Sequence, residues 1–340
     1  MANIQRAILN WYDKNKRDLP WRRSKEPYFV WLSEIVLQQT RVDQGTPFYN
    51  QLVTQFPTVQ DLADADEADV LLAWKGLGYY SRARNLHKAA KQLMYLHAGR
   101  FPEYSKALIE LPGIGPYTAA AIASICFKEH VAAIDGNVIR VVSRVMDINQ
   151  PVENANTLAL IKAVSKEWLP LDRPGDFNQA LMDFGSLVCT PKSPNCSCCP
   201  LATLCLARSN GTQNMRPVKK PKKKAKDRYL IFHAEMLNQK FRVVQMRKGG
   251  IWENLFVFPF NEYDGASDMK QALKSKRVLI DCATHVLSHQ RINYSLVVKP
   301  YDKAQLQGRF VSIEGLSQLP TPILMVRMAE IIQNQTPPII

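Results

Sequence analysis

Two carboxyls stand out by their surroundings. Glu34 lies in the apolar run VWLSEIVL at residues 30–37, where a carboxyl on a helix loses water and keeps its proton near neutrality. Asp135 opens Asp135-Gly136-Asn137 just before an amphipathic run, Val138 to Val145, where a helix N-terminus favours its anion. An acid and a carboxylate pushed apart in this way suit cleavage of a glycosidic bond: one protonates the leaving group, the other stabilises or attacks the sugar cation. Each also has a plain structural reading. Glu34, Gln38 and Arg41 fall on one helical stripe, which could be a solvated face with a Glu34–Arg41 pair. Asp135 could be an N-cap and nothing more.

A second chemistry sits near residue 200. Cys189, Cys196, Cys199 and Cys205 follow the spacing C-x6-C-x2-C-x5-C, close enough for four thiolates to meet at one metal centre. Spacing alone leaves tetrahedral zinc and a 4Fe-4S cube both open. Cys198 is an extra thiol beside the set, and Cys126 and Cys282, in apolar or strand-like runs, read as buried packing residues. A loop pinned by such a centre can bring Lys192 and nearby backbone to phosphates.

The elements that must position these groups meet at LPGIGPYTA, residues 111–119. Gly113 and Gly115 permit a tight turn, and Pro116 suits the first position of a new helix. Backbone N–H groups at such a helix start form an anion site, so Gly113, Ile114 and Gly115 are candidates to hold a phosphate. Residues 1 to 207 read as helical throughout, with spans near Ile4 to Lys14, Tyr28 to Gln44, Phe48 to Phe56, Ser81 to His97, Val138 to Met146, Asn154 to Trp168 and Pro174 to Val188. Beyond residue 228 the pattern changes to short runs of period two, at Tyr229 to Met236, Phe241 to Met246, Leu255 to Pro259 and Ile292 to Val298, before a last helix near Ile323 to Gln333. This predicts a separate mixed α/β domain.

A length of 340 residues allows two or three domains with cores of their own, and 46% apolar with 22% charged residues marks a globular chain. The net charge of +14 calls for an anionic partner, nucleic acid or a membrane surface. Half of that excess lies between Arg216 and Arg228, with eight basic residues against one acid, a tether with a secondary part in phosphate attraction. No apolar run is long enough to span a bilayer, and the start carries no signal-peptide core, so the expected setting is cytoplasmic.

Together LPGIGPYTA and the Asp135-Gly136-Asn137 that follows it resemble the helix-hairpin-helix glycosylases of the endonuclease III superfamily. Within it, WLSEIVLQQT at 31–40, LPWR at 19–22, GLGYY at 76–80, DGNV at 135–138 and FNQALMD at 177–183 are similar, in order, to the adenine DNA glycosylase (MutY) family. The likeness is dense over residues 1 to 207. It implies a mainly α helix-hairpin-helix glycosylase fold with a 4Fe-4S loop, plus a C-terminal α/β Nudix-like domain. It also implies four parts: 1–29 with 137–207 for the cluster domain, 30–136 for the six-helix domain, 208–227 for the basic linker and 228–340 for lesion recognition. One 4Fe-4S cluster on Cys189, Cys196, Cys199 and Cys205 is the implied cofactor. The implied partner is double-stranded DNA with 8-oxoguanine:adenine or guanine:adenine, bound by a monomer.

The same resemblance assigns roles. Glu34 protonates N7 of an extruded adenine and Asp135 stabilises the sugar, with Tyr117 and Asn137 beside them. Trp21, Arg22 and Gln179 line the adenine pocket. Leu37, Gln39 and Tyr79 wedge into the stack, and Thr40 closes that motif at the substrate. Strand-cutting relatives carry a lysine where this chain has Tyr117, and a phenol forms no imine, so the resemblance implies a monofunctional enzyme. HVLSH at 285–289 matches a His-x-Phe-Ser-His loop, with Leu287 where Phe is usual, which assigns His285, Leu287, Ser288 and His289 to the lesion base. The glutamate cluster of a Nudix hydrolase is missing after residue 228, so no pyrophosphatase activity is expected. A bifunctional pyrimidine-lesion glycosylase and a non-catalytic iron-sulfur DNA sensor are the alternatives, disfavoured by Tyr117 and by the intact Glu34 and Asp135.

Overall fold

The structure, a computed structural model, describes residues 2–221, 225–247, 250–287, 289–299 and 308–335. Ser288 and part of the basic tether, residues 222–224, lie outside the described residues. Apolar spacing of period 3.6 becomes helix through the first two-thirds of the chain: α1 (Ala2–Asn15), α2 (Pro27–Val36), α3 (Val42–Gln55), α4 (Val59–Asp64), α5 (Glu67–Ala73), α6 (Ser81–His97), α7 (Ser105–Leu108), α8 (Pro116–Phe127), α9 (Gly136–Val145), α10 (Ala155–Trp168), α11 (Pro174–Leu187) and α12 (Leu206–Ser209). No helix among the described residues is long and apolar enough to cross a membrane.

One expected helix is broken. The run from Tyr28 to Gln44 ends at Val36 and restarts at Val42, because Gln39 takes a left-handed φ of +56°. Leu37 donates its N–H to Ser33 and Thr40 donates back to Leu37, which closes a turn where the stripe of Glu34, Gln38 and Arg41 would have continued. Among the described residues Glu34 makes no ion pair with Arg41, so the solvated-face reading fails.

The chain divides into two compact units, residues 1–64 with 85–221, and residues 65–84 with 222–340. In the first, Ile8 and Tyr12 of α1, Val138, Val141 and Val142 of α9, Ile161 and Trp168 of α10, and Phe177 and Phe184 of α11 share one core. Small residues let α8 pack closely, with Ala120 and Ala121 against Ala133.

The second unit is built on β1 (Lys226–Leu237), β2 (Lys240–Gln245), β3 (Phe256–Val257), β4 (Phe260–Tyr263), α13 (Ala266–Leu273), β5 (Val278–Val286), β6 (Gln290–Lys299), β7 (Arg309–Val311), α14 (Ile313–Ser317) and α15 (Ile323–Gln335). Its strands run in the order β3-β2-β1-β6-β5, with β4 on β1 and β7 on β2. β1 and β6 are parallel, Lys226 opposite Gln290 through Glu235 opposite Lys299, and their buried Leu230, Phe232 and Leu296 read as apolar on both faces. The period-two runs locate β1, β2, β3 and β6. β4, β5, β7 and α13 are not legible: β5 opens on three consecutive apolar residues with no alternation and carries a bulge, where Cys282 sits at φ +46°. That bulge leaves Cys282 exposed and Cys126 is only half-buried, so neither is the fully buried packing residue expected.

Residues 65–84 are tied to this sheet by named bonds. Lys75 donates to the Leu316 and Ser317 carbonyls at 3.1 and 3.0 Å, Tyr80 to Thr321 at 3.0 Å, and Arg84 to Glu253 at 2.9 Å.

Candidate active site

α2, the 37–41 turn, the start of α8, the cap of α9 and one face of α11 surround a cavity of about 1100 Å³. Glu34, Asp135, Tyr117, Trp21, Arg22, Gln179, Leu37, Gln39, Gly113 and Gly115 all line it. Residues as far apart in the sequence as Trp21 and Gln179 thus meet in one hollow with room for a nucleobase. Thr40 and Asn137 are not on its wall. Thr40 closes the turn, its hydroxyl 3.4 Å from the Gln38 carbonyl, and Asn137 lies behind Asp135.

Glu34 comes last but two in α2, between the buried Ser33 and Ile35. Burial pushes its carboxyl up to about 7, helped by the nearby Asp135 and opposed by a hydrogen bond from Tyr117 and the charge of Arg22. Tyr117 stands on the first turn of α8, and its hydroxyl is also 3.3 Å from Met182 Sδ. Burial and the two carboxyls raise the Tyr117 hydroxyl far above the usual range, so it stays a neutral donor.

Asp135 is both the N-cap and a lining carboxylate. Its Oδ1 accepts from the Val138 N–H at 2.8 Å and its Oδ2 from Asn137 Nδ2 at 2.7 Å. The helix start was expected to favour its anion outright. Burial instead outweighs these bonds and raises Asp135 somewhat, while only Glu34 is carried to neutrality. The two carboxyls still differ, because Asp135 has backbone and amide donors that Glu34 lacks.

The hairpin turn has the expected form. Gly113 takes φ +79°, and a Cβ there would meet Asn85 at 2.8 Å; Gly115 opens α8 with clear space around it. Ile114 departs from expectation, since it donates its N–H to Leu111 at 3.1 Å and its side chain is buried. That commitment closes the turn and removes Ile114 from the free donors.

Sequence reasoning missed three supports. Asp183, fully buried, accepts from Arg22 at 2.6 Å and from Arg17. Arg140 donates to Asn137 Oδ1 and to the Cys189 carbonyl, both at 2.7 Å. Met182 approaches Tyr117. Helical spacing is the signal for the first two, since Asp183 falls four residues after Gln179 and Arg140 three after Asn137.

Cys189, Cys196, Cys199 and Cys205 line one hollow beneath α9 and α11. Burial and the three neighbouring thiols push Cys199 up to about 11, a repulsion that a bound cationic centre would relieve. The buried Arg144 lies 3.3 Å from Cys189 Sγ. Among the described residues no group of three or more His, Cys, Asp or Glu stands close enough to hold a metal ion.

Residues 32–166 match the model of the HhH-GPD superfamily base excision DNA repair proteins. The adenine DNA glycosylase of Buchnera aphidicola subsp. Schizaphis graminum is 36% identical over 279 residues, 82% of this chain and 80% of that protein. The chain belongs to the adenine DNA glycosylase family. It is therefore an enzyme, a DNA N-glycosylase of base-excision repair with a helix-hairpin-helix core. The human adenine DNA glycosylase is 43% identical over 216 residues, 61% of this chain and 40% of the human protein. Among solved structures a thermostable thymine-DNA glycosylase shares 29% identity with a TM-score of 0.56, covering 61% of this chain and 95% of its own. A trapped endonuclease III–DNA intermediate, at 20% identity and a TM-score of 0.53 over 61% of this chain and 94% of that one, shares the fold.

In the second unit Tyr79, His285, Leu287 and His289 line a separate hollow of about 650 Å³ with Trp252, Arg84 and Arg228. Two groups of residues that the sequence separates by two hundred positions are thus brought together. Burial, aided by Arg327, lowers His285, which keeps its ring neutral.

Proposed function

We propose that this chain extrudes adenine from duplex DNA where it faces 8-oxoguanine or guanine, and hydrolyses its N-glycosidic bond without cutting the strand. The observation that carries this is the meeting of Glu34 and Asp135 in one cavity, the first held near pH 7 and the second by the Val138 N–H and Asn137. Glu34 in its protonated form donates to N7 of the base, the bond to the sugar breaks, and positive charge develops at C1′. Asp135 stabilises that charge. The Glu34 anion then takes a proton from water as the oxygen adds to C1′. Trp21, Arg22 and Gln179 orient the base, Leu37, Gln39 and Tyr79 fill the gap it leaves, and the N–H groups of Gly113 and Gly115 grip a phosphate.

Tyr117 supports the monofunctional reading: it points a neutral phenol at the carboxyls, where an imine needs an amine. The second hollow, lined by Tyr79, His285, Leu287 and His289, is the place for the opposite base on the 228–340 domain, with a Nudix-like fold used for recognition. Ser288 joins it on the resemblance alone. Residues 1–29 with 137–207 form the cluster domain, 30–136 the hairpin domain and 208–227 the tether, and the chain acts as a monomer.

The group we assign to the four cysteines that line one hollow is a 4Fe-4S cluster, on the resemblance and on their thiol chemistry. Bound, it would fix the 189–205 loop. Arg144 would then lie beside an anionic cluster.

The test is single-turnover base release from a duplex with 8-oxoguanine opposite adenine, abasic sites being revealed by alkali. Glu34→Gln should abolish release, and borohydride should trap no covalent complex. Undiminished release by Glu34→Gln, or efficient trapping at a lysine, overturns the mechanism. Visible absorbance tests the cluster, and a colourless, zinc-loaded protein overturns it.

A further inference from the structure

The turn that carries Tyr79 is strained and exposed. Gly76 and Gly78 take φ of +100° and +74°, and Tyr79 itself, a residue with a Cβ, takes +49°. A left-handed conformation costs such a residue about 1 kcal/mol or more and persists only when its surroundings hold it. The Tyr79 ring is among the exposed large apolar groups, so it is not held by burial.

Arg82, the second residue of α6, stands beside it. Its guanidinium carbon is 5.6 Å from the Tyr79 ring centroid and 5.1 Å from that of Trp74. Arg82 Nη2 lies 3.3 and 3.4 Å from the Gly78 and Leu77 carbonyls, and its backbone N–H donates to Tyr79 at 2.9 Å. Trp74 Nε1 donates to the same Gly78 carbonyl at 3.0 Å. A planar cation in reach of two rings, with one nitrogen shared between two carbonyls, holds the turn through charge and hydrogen bonds that an apolar side chain cannot supply.

We propose that Arg82 is the positioning residue that fixes Tyr79, backbone and ring, in the pose in which it enters the DNA stack. This rests on the reading above that Tyr79 contacts DNA. Arg82 touches neither base nor sugar in this scheme. It removes the ordering cost that a free tyrosine on a glycine-rich turn would meet on binding, so its effect belongs to affinity for the lesion duplex. Burial lowers the Arg82 guanidinium to about 10, which leaves it charged at neutral pH.

The experiment is a double-mutant cycle in the full chain, with Arg82→Lys, Arg82→Met and Tyr79→Ala. The probe is a duplex with 8-oxoguanine opposite 2′-fluoro-deoxyadenosine, compared with a fully paired duplex. Each Arg82 variant should bind the lesion duplex about tenfold more weakly, with little change on the paired one. On cleavable DNA the rate constant of the bound complex should stay within about twofold, and in the Tyr79→Ala background Arg82→Met should add less than about twofold. An equal loss in that background shows that Arg82 does not act through Tyr79 and overturns the proposal. No loss from Tyr79→Ala itself overturns both the proposal and the DNA contact. Should Arg82→Met unfold, Arg82→Lys keeps charge and stem, and faster amide exchange confined to residues 76–80 is expected; unchanged exchange there overturns the proposal.

Discussion

Arg140 Nη2 lies 2.7 Å from Asn137 Oδ1, and the same guanidinium donates through Nε to the Cys189 carbonyl at 2.7 Å. Asn137 in turn donates to Asp135, so one buried cation joins the Asp135 carboxylate to the first cysteine of the 189–205 loop. Arg140→Met strips donors from Asn137, Cys189 and the Gly185 carbonyl at once. Unsatisfied buried acceptors cost about 1–3 kcal/mol each, so the first unit should lose about 3 kcal/mol of stability. Single-turnover base release should fall at least tenfold as Asp135 loses its oriented partner. A lowered melting temperature with an unchanged rate for bound substrate would remove Arg140 from the positioning of Asp135.

Glu34 sets a pH dependence with a definite sign. Its acid form is the working form, so the single-turnover rate should be level below about pH 7 and fall about tenfold per unit above it. Stability follows the same proton. The folded carboxyl lies at about 7 against 4.5 for the ordinary group, so the fold is favoured most below 4.5 and loses on the order of 3 kcal/mol as pH rises through 7. Glu34→Gln should then melt higher than the parent at pH 8 and near it at pH 5. Parallel melting curves at both values would show that Glu34 is not held neutral.

Much of this site was legible before any coordinates. Glu34, Asp135 and the four cysteines announce themselves because their chemistry conflicts with their neighbours: a carboxyl in an apolar run, a helix start after a glycine, four thiols in seventeen residues. Arg140 and Asp183 do not, because a buried ion pair looks in sequence like any surface charge. The break at Gln39 was hidden as well. Nothing in QQTR forbids helix, and the turn is imposed by packing: a Cβ on Gly45 would lie 2.8 Å from Leu37 Cδ2. In the second unit β5 gives no period-two signal, since Val278, Leu279 and Ile280 run together and its pairing with β6 along one edge sustains it.

Asp183 governs how much of the Arg22 charge reaches Glu34. Burial alone would raise Asp183, but the bonds from Arg22 and Arg17 outweigh it and hold the carboxylate below its usual range. Asp183→Asn leaves two arginines without their anion, at a cost of about 3–5 kcal/mol for breaking a buried pair. The freed Arg22 cation should then favour the Glu34 anion, alongside the bond from Tyr117 and against the nearby Asp135, which face the same cavity. The fall in rate with pH should begin at a lower pH than in the parent, and Asp183→Glu should restore it. A profile left in place by Asp183→Asn, in a protein that still binds DNA, would show that Arg22 does not act on Glu34.

Gly185 offers a way to move the Asp135 carboxylate without touching it. It lies on α11 against the start of α9, and a Cβ built there would come within 2.6 Å of Asn137 Cβ and 3.2 Å of its Cα. Those atoms belong to backbone and stem, not to a flexible tip, so the strand of chain that carries Asn137 must shift. Overpacking of this kind costs about 1–3 kcal/mol, partly offset by the better helix propensity of alanine. The larger effect should fall on chemistry. A displaced Asn137 no longer meets both Asp135 Oδ2 at 2.7 Å and the Arg140 guanidinium, and Asp135 keeps only its bond to Val138. Gly185→Ala should therefore slow single-turnover release by roughly tenfold or more while DNA affinity changes little, since no wedge or phosphate-holding residue moves. Equal losses in affinity and rate would point to a general loosening of α11, and the geometry around Asp135 would not then be the quantity that Gly185 protects.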